Sequence, residues 1–270
     1  MKVVLFCGGQ GMRLRDYSES VPKPMVPVGH RPLLLHLMKY FAYFGHNEFI
    51  LCLGHKSEVI KDYFLNYNEA LSNDFVLSQG GRTVELLSSD IDNWKISFID
   101  TGINTSIGER LKAVQHLLKE EEMFLANYSD GLTDLWLPDY IDHFMQSGRI
   151  ASFLAVQSTQ SFHVAQLGAD GTVFRIEPLS ESDQWINGGF FAFRPQIFDH
   201  LGVGEDLVSD AFTRLIAQRE LIAYRHTGFW MAMDTFKDKQ ALDALHEKGG
   251  APWEIWRRRA PGQLNSDDLS

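Results

Sequence analysis

The sequence predicts an α/β fold, in which a Rossmann-like, mostly parallel sheet with helices on both faces is followed by a β-rich lobe. Over residues 1–148, short apolar runs alternate with amphipathic segments of helical spacing, which is typical of such a sheet. After Gly148 the apolar runs become strand-like and follow one another closely. No Pro-, Gly- or Ser-rich linker separates the two parts, so we expect a single domain over residues 1–256 and a tail over 257–270.

The first part, residues 1–148, contains four apolar runs that we predict to be buried strands, with helices between them. The predicted strands are Val3–Phe6, Phe49–Leu53, Ile96–Ile99 and Met123–Ala126. The predicted helices are Leu33–Phe44, Ser57–Asn66 and Glu109–Lys119. The irregular apolar segment Phe75–Ser88 indicates an inserted hairpin.

The second part, residues 149–256, is predicted to be rich in strands before helical spacing returns. Its predicted strands are Ala151–Val156, Val164–Leu167, Val173–Ile176 and Phe190–Phe193. The turn at 169–171 lies between two of them and indicates a hairpin. The predicted helices are Val208–Arg219 and Lys237–Lys248.

Composition excludes several classes of function. The formal net charge of −10 argues against a nucleic-acid partner, whose binding needs dense Lys and Arg. No apolar run approaches the length of a membrane span, and no secretory leader is recognisable, so we expect no membrane partner. The two cysteines, Cys7 and Cys52, fit a reduced, cytoplasmic protein. Histidines lack metal-binding spacings, and no Gly-x-Ser-x-Gly motif is present, which excludes zinc hydrolysis and acyl transfer.

The loop after the first strand, "FCGGQGMRLRDYSESVPKP", combines glycines with fixed positive charge. Gly8, Gly9 and Gly11 allow backbone N–H groups to approach an anion, and Arg13 and Lys23 supply cations. Prolines on both sides of Lys23 stiffen its backbone. The loop lacks the third glycine of a dinucleotide fingerprint and the Gly-Lys-Ser/Thr of a P-loop. A triphosphate cradle and a flexible loop with solvated arginines both remain open at this point.

Two aspartates follow apolar segments. Asp130 comes directly after the predicted strand Met123–Ala126 and its short polar extension, where open α/β sheets bind ligands. Together with Asp234 it could hold Mg²⁺, which favours a few carboxylates plus phosphate oxygens. Alternatively, Asp130 is a helix N-cap or turn residue, and Asp234 caps the helix that begins nearby.

Five segments in order resemble the sugar-1-phosphate nucleotidyltransferase family, and among its members the glucose-1-phosphate cytidylyltransferases. They are "CGGQGMRLRDYSESVPKPMVPVGHRPLL", "DTGINTSIGERLKAV", "YSDGLTDL", "WINGGFFAF" and "GFWMAMDTFKDKQALDALHEKGGAPWEIW". The resemblance covers residues 1–256 and implies that CTP and a sugar 1-phosphate react to a CDP-sugar and pyrophosphate. It also implies a homo-oligomer and a division into a nucleotide-binding part, 1–148, and an acceptor-binding part, 149–256, with a sugar-binding β-rich lobe.

The resemblance also implies roles for individual residues. Arg13, Lys23 and Asp130 would be catalytic, and Asp130 and Asp234 would hold Mg²⁺. The acceptor would contact Glu177, Asn187 and Gly188. Trp185 and Trp230 are expected to be core or wall residues. The nucleotide would be bound by the following residues: Gly8, Gly9, Gly11, Met12, Arg13, Lys23, Thr105, Arg110 and Ser129.

Two positions depart from the family pattern. Met12 stands where a threonine is usual, at a cost of about one neutral hydrogen bond, ~1 kcal/mol. Pro178 stands where a lysine would bind the acceptor phosphate, and Arg175 is the nearest cation in sequence that could replace it. We therefore expect weak or absent activity with CTP and glucose 1-phosphate, although CTP itself should still bind. A different nucleotide, a non-glucose phosphorylated acceptor, and a nucleotide-binding regulator without turnover stay as alternatives.

Overall fold

A computed structural model of the chain describes residues 1–9, 21–158, 163–179 and 182–258. The described strands, in chain order, are β1 (Lys2–Phe6), β2 (Pro27–Val28), β3 (Arg31–Pro32), β4 (Glu48–Leu53), β5 (Phe75–Ser78), β6 (Thr83–Leu86), β7 (Lys95–Asp100), β8 (Phe124–Asn127), β9 (Gly131–Thr133), β10 (Ala151–Val156), β11 (His163–Leu167), β12 (Val173–Pro178), β13 (Ile186–Phe193), β14 (Leu221–His226) and β15 (Trp230–Ala232). The described α-helices are α1 (Leu33–Tyr43), α2 (Ser57–Leu65), α3 (Glu69–Ser72), α4 (Ile107–Ala113), α5 (Leu137–Ser147), α6 (Thr213–Ala217), α7 (Phe236–Glu247) and α8 (Ile255–Arg258).

A central sheet organises the molecule, with described strands in the order β14-β10-β13-β8-β1-β4-β7. β8, β1, β4 and β7 run parallel to one another, and β10 runs parallel to β14. Only β13 is antiparallel to its neighbours in this sheet, so the prediction of a mostly parallel sheet is confirmed.

Both faces of the central sheet are covered, because successive side chains of a strand point to opposite faces. In β1, Val3 and Leu5 pack into one buried apolar cluster together with α1. Val4 and Phe6 pack into a second cluster that includes Leu111 of α4. The near-continuous apolar sequence of β1 therefore reflects a strand buried on both sides.

Among the described residues, four two-stranded sheets accompany the central one: β2 with β3, β5 with β6, β9 with β15, and β11 with β12. The predicted hairpin Phe75–Ser88 is confirmed as β5 and β6. β9 and β15 come from distant parts of the sequence, and they pair antiparallel with Ala232 opposite Gly131. This pairing joins the segment after β8 to the segment before α7.

Most predicted element boundaries are confirmed to within a few residues. The helix predicted at Glu109–Lys119 is shorter, because α4 ends at Ala113 and a 3₁₀ turn follows at Gln115–Leu117. The helix predicted at Val208–Arg219 is a π-helical segment followed by α6. Of the four strands predicted after Gly148, β10 and β13 lie in the central sheet, whereas β11 and β12 form a separate hairpin.

Candidate functional site

The carboxyl ends of β1, β4 and β8 converge, as expected for neighbouring parallel strands. The N–H of Cys7 donates to the carbonyl of Cys52 at 2.9 Å, and the N–H of His55 donates to the carbonyl of Gly8 at 3.4 Å. Cys7 Sγ lies 3.4 Å from the hydroxyl of Ser129, which follows β8. Burial raises the pKa of the Cys7 thiol to about 12, so it is a neutral packing group.

The side chain of Arg110, in α4, packs against the carboxyl ends of β1 and β4. Its side chain is 2% exposed, and its terminal nitrogens donate to the carbonyls of Gly8, Leu53 and Ile103 at 3.1–3.2 Å. A second kind of partner is the hydroxyl of Thr101, at 2.7 Å. A Cβ at Gly8 would lie 2.0 Å from the guanidinium, so a larger residue here would displace Arg110 from these carbonyls. The structure thus places Arg110 against backbone carbonyls rather than on the surface.

Two further residues expected at the nucleotide are Thr105 and Ser129. Each forms a hydrogen bond that stabilises the backbone nearby. The Thr105 hydroxyl donates to the carbonyl of Thr101 at 2.5 Å, just before the capping box that starts α4 at Ser106. The N–H of Ser129 donates to the Asn127 side chain at 2.7 Å, and Ser129 has a φ of 64°. This left-handed turn immediately precedes Asp130.

Lys23 begins a 3₁₀ turn, Lys23–Met25, that is framed by prolines. Pro22 has a φ of −67° and its carbonyl accepts the N–H of Met25 at 2.8 Å. Pro24 and Met25 are buried. Because both neighbouring φ angles are restrained by proline rings, the backbone under Lys23 is fixed, as predicted, while its four-carbon side chain can still move.

The β9–β15 pair brings Asp130 and Asp234 together. The N–H of Met233 donates to the carbonyl of Asp130 at 2.8 Å, directly before β9. The helix cap after Asp234 is Thr235, whose side chain accepts the N–H of Asp238 at 3.2 Å. Asp234 is therefore not the N-cap of α7, and Asp130 precedes a strand rather than a helix. Both carboxylates are available for another partner.

That partner is Lys23. Its ammonium donates to Asp130 Oδ2 at 2.8 Å and to Asp234 Oδ1 at 2.7 Å. Burial opposes the charged form of Lys23, but the two carboxylates more than offset it, and the pKa of Lys23 is raised. Three residues separated by more than one hundred positions in sequence thus form one charged cluster, which we call the Lys23 cluster.

The Lys23 cluster fits a hard divalent cation. Two carboxylates already converge on one positive group, and Mg²⁺ typically takes one or two protein carboxylates and completes its shell with water and phosphate oxygens. Within the described ranges, no group of three or more His, Cys, Asp or Glu side chains is arranged to hold a metal. The two carboxylates alone would leave most positions around the metal for substrate.

A cavity of about 270 Å³ opens beside the Lys23 cluster. Asp130 and Asp234 line it, together with Asp238, whose Oδ2 accepts the N–H of Asp234 at 3.1 Å. The other lining residues are mostly aromatic, apolar or neutral: Tyr128, Ser158, Leu179, Ile186, Asn187, Gly188, Trp230 and Ala232. Among these lining residues there is no lysine, arginine or histidine.

Two of the expected acceptor residues line this cavity, and a tryptophan holds one of them. The indole of Trp230 donates to the carbonyl of Gly188 at 2.9 Å, so Trp230 is a wall residue, as expected. Asn187 Oδ1 accepts the N–H of Gly189 at 2.9 Å. Its Nδ2 donates to the hydroxyl of Tyr128 at 3.4 Å.

The third expected acceptor residue, Glu177, lies on β12 and is not among the residues lining the cavity. Its carboxylate forms an ion pair with Arg175, the cation that could replace the missing family lysine. Pro178 stands opposite His163 across the β11–β12 hairpin. The side chain of Arg175 is 62% exposed, so it is held by one ion pair at the surface.

Sequence reasoning missed Tyr128 and Asp238. Tyr128 immediately precedes the Ser129-Asp130 turn at a strand end, and this adjacency could have identified it. Asp238 could have been found as the third residue after the cap Thr235. Three expected nucleotide residues, Gly11, Met12 and Arg13, lie outside the described residues, as do residues 259–270 of the expected tail. In the part of the chain that is described, no helix is both long and apolar enough to cross a membrane.

Comparisons with known proteins agree with this architecture. A solved structure of a putative glucose-1-phosphate thymidylyltransferase from Bacillus anthracis superposes with a TM-score of 0.66 at 16% identity, over 91% of this chain and 94% of that one. This likeness shows the fold. Two curated relatives are much more similar in sequence. They are a probable glucose-1-phosphate cytidylyltransferase of Bacillus subtilis and the glucose-1-phosphate cytidylyltransferase of Salmonella typhimurium, each 36% identical over 95% of this chain and 100% of its own length.

The family assignment follows from the breadth of these matches. The nucleotidyl transferase family matches residues 2–241, a span that contains Lys23, Asp130, Asp234 and the cavity beside them. The resemblance inferred from the five sequence segments is thereby confirmed. The chain belongs to the nucleotidyl transferase family.

Proposed function

We propose that the chain catalyses the reaction of CTP with a sugar 1-phosphate to give a CDP-sugar and pyrophosphate, with Mg²⁺ as cofactor. The observation that carries this proposal is the Lys23 cluster beside a cavity that contains Asn187 and Gly188. The cluster supplies the charges that a triphosphate and a metal need, and the cavity offers neutral polar groups for a sugar. The two cytidylyltransferase relatives support CTP as the nucleotide.

In the proposed reaction, an oxygen of the acceptor phosphate attacks the α-phosphorus of CTP, and pyrophosphate leaves. A phosphate monoester is largely dianionic near pH 7, its second pKa being about 6, so no general base is required. Lys23 would bind the α-phosphate and neutralise charge that develops there, while the pocket aligns the two reactants. Asp130 and Asp234 would hold Mg²⁺, which would supply further charge neutralisation at the phosphate oxygens.

On the nucleotide side, we propose that the Gly8 and Gly9 backbone, with Gly11, Met12 and Arg13, binds the triphosphate. Arg110 and Ser129 would act on the nucleotide mainly through this loop, because their side chains contact Gly8 and Cys7. Thr105 would hold the segment that closes on the base.

On the acceptor side, we propose that Asn187, Gly188 and Glu177 bind the sugar, with Tyr128 and Trp230 as cavity walls. The described lining residues of the cavity carry three carboxylates and no cation, so among the described side chains Lys23 and Arg175 are the ones we propose to neutralise the acceptor phosphate. Arg175 would first have to leave Glu177. This arrangement supports a lower affinity for glucose 1-phosphate than a lysine at position 178 would give. It also supports a non-glucose sugar 1-phosphate as an alternative acceptor.

Pyrophosphate release tests this proposal. CTP, UTP, dTTP, ATP and GTP are each incubated with a panel of sugar 1-phosphates and Mg²⁺, and the nucleotide sugar is identified by mass spectrometry. We expect release with CTP above the other four nucleotides and a matching CDP-sugar. Tight CTP binding with no release for any acceptor would instead identify a regulator, and a purine preference would contradict the cytidylyltransferase assignment.

We also propose that the protein is a cytoplasmic homo-oligomer without nucleic-acid or membrane partners. Cys7 and Cys52 are free and buried, and the net charge is −10, which support the location and the absence of nucleic acid. One face of the β5–β6 hairpin exposes paired apolar side chains, Phe75 with Leu86 and Leu77 with Val84, which supports self-association. Sedimentation equilibrium tests this, and a single species at the monomer mass of 30.8 kDa would contradict it.

A further inference from the structure

The Lys23 ammonium is bonded to the two carboxylates, Asp130 and Asp234, that would also bind a metal. We propose that the Lys23 ammonium and a divalent cation compete for Asp130 and Asp234, so that metal binding releases Lys23 to bind substrate phosphate. This inference rests on the proposed function, because it assumes that the two aspartates hold the metal. It adds an order to the site: the lysine is available to the nucleotide only when the metal has taken its place.

The geometry of the cluster carries the competition. The ammonium lies 2.8 Å from Asp130 Oδ2 and 2.7 Å from Asp234 Oδ1, which are distances of charge-assisted hydrogen bonds. An ammonium is a donor only, so it uses the same carboxylate lone pairs that a metal would use and forms no bond with the metal itself. A dication placed between the same carboxylates would also repel the ammonium, since like charges at contact distance are unfavourable in a partly buried site.

The cluster is built so that the side chain can leave while its backbone stays in place. Pro22 and Pro24 restrain the backbone on both sides, and Pro24 is buried. The lysine side chain has four flexible methylenes, and its described partners at the ammonium are the two carboxylates. A change of rotamer is therefore enough to move the positive charge from the carboxylates to a neighbouring phosphate.

The charge balance favours this exchange once a metal and a polyphosphate are both present. One ammonium on two carboxylates leaves one negative charge, whereas a dication neutralises both carboxylates and leaves the ammonium without its anions. Among the described residues that line the adjacent cavity there is no cation. Lys23 is thus the group that the structure offers to an incoming phosphate, and metal and nucleotide should bind cooperatively.

Calorimetric titration of the full chain with Mn²⁺, in the absence of nucleotide, tests the competition. We expect the Lys23→Met variant to bind Mn²⁺ roughly tenfold more tightly than the wild type or better, because no tethered charge-assisted contacts must be displaced. The matched control is Lys39→Met, which removes an equally buried lysine from an ion pair with Asp90. Lys39→Met should bind Mn²⁺ as the wild type does.

The outcomes separate this inference from the proposed function. Equal or weaker Mn²⁺ binding by Lys23→Met overturns the competition but leaves the metal site intact. If the wild type, Lys23→Met and the Asp130→Asn/Asp234→Asn double variant all bind Mn²⁺ alike, or none binds it, the metal site of the proposed function fails as well.

A crystal structure of the wild type with Mn²⁺ and no nucleotide provides a second test, which does not depend on any variant folding. It also separates displacement from a simple effect of charge on affinity. We expect Mn²⁺ on Asp130 and Asp234, with the Lys23 ammonium beyond hydrogen-bond distance of both. A Lys23 ammonium that still donates to both carboxylates beside the bound metal would overturn the proposal.

Discussion

Two clusters in the described part of the molecule pair lysine with aspartate but have opposite charge balance. In the first, Asp90 accepts from two cations, Arg31 at 3.0 Å and Lys39, and from the hydroxyl of Tyr67 at 3.1 Å. In the second, one ammonium, that of Lys23, is shared by two carboxylates. The Asp90 carboxylate is 7% exposed, whereas those of Asp130 and Asp234 are 29% and 30% exposed.

The difference separates a structural tie from a binding site. Asp90 is saturated by donors from β3, α1 and the segment after α2, so it fixes these elements to one another. Asp130 and Asp234 carry more negative charge than Lys23 neutralises, and they face a cavity. An excess of like charges that border an opening costs stability unless a ligand of opposite charge binds there, and it is this excess that indicates function.

The largest expected effect comes from removing one carboxylate of the Lys23 cluster. Asp130→Asn should lower turnover by about a hundredfold or more, because it removes a metal ligand at the reacting phosphates. Its melting temperature should stay close to that of the wild type, since Lys23 keeps Asp234 as a partner. Steady-state pyrophosphate release and a thermal melt measure the two quantities. Turnover at the wild-type rate would remove Asp130 from the metal site.

The same Asp→Asn substitution in the Asp90 cluster should lower stability and leave turnover almost unchanged. Asp90→Asn leaves Arg31 and Lys39 next to each other without their carboxylate, and we expect a loss of about 2–3 kcal/mol, or about 5–10 °C in melting temperature. Turnover of the folded enzyme should change by no more than about twofold, because the cluster does not border the cavity. A stable Asp90→Asn enzyme with poor turnover would show that the two clusters are not separate in function.

A smaller effect is expected at Arg110, a buried cation whose described partners are neutral oxygens. Arg110→Lys retains the charge but loses the planar fork that holds the carbonyls of Gly8, Leu53 and Ile103. We expect the KM for CTP to rise about tenfold with a smaller change in kcat, since one or two hydrogen bonds to the loop are lost. Arg149→Lys, at an exposed ion pair with Glu220, is the control and should match the wild type. A fall in kcat alone would contradict a loop-positioning role.

The smallest effect is expected at a neutral contact of the cavity wall. Trp230→Phe keeps an aromatic ring but loses the donor to the Gly188 carbonyl, worth about 1 kcal/mol, or roughly fivefold in acceptor KM. The KM for CTP should not change. If CTP binding weakens while acceptor binding does not, the cavity is not the acceptor pocket.

The sequence predicted the sheet and the site residues to different degrees. Apolar runs such as Val3–Phe6 are reliable signals, because a strand buried on both faces excludes polar residues. α5 and β14 were missed: α5 has only three buried positions, Leu137, Tyr140 and Phe144, and β14 is a half-buried edge strand. The place of β10 and β13 within the central sheet was not predicted, because strand order in a sheet depends on long-range pairing that periodicity does not contain.

At the site, single residues were easier to predict than their partners. Lys23, Asp130 and Asp234 were expected from local motifs and the family resemblance, and the structure brings all three together. Their meeting depends on the β9–β15 pair, two three-residue strands too short to recognise in sequence. The ion pair of Arg175 with Glu177 was also not foreseen, because Arg175 was considered only as a replacement for the missing lysine.

A crystal structure of the wild type with CTP and Mg²⁺ tests the central claim most directly, namely that the Lys23 cluster is the metal and triphosphate site. The account predicts Mg²⁺ on Asp130 and Asp234, the Lys23 ammonium within hydrogen-bond distance of the α-phosphate, and the cavity beside Asn187 open to the acceptor. A nucleotide bound elsewhere, with Lys23 still donating to both carboxylates, would contradict it.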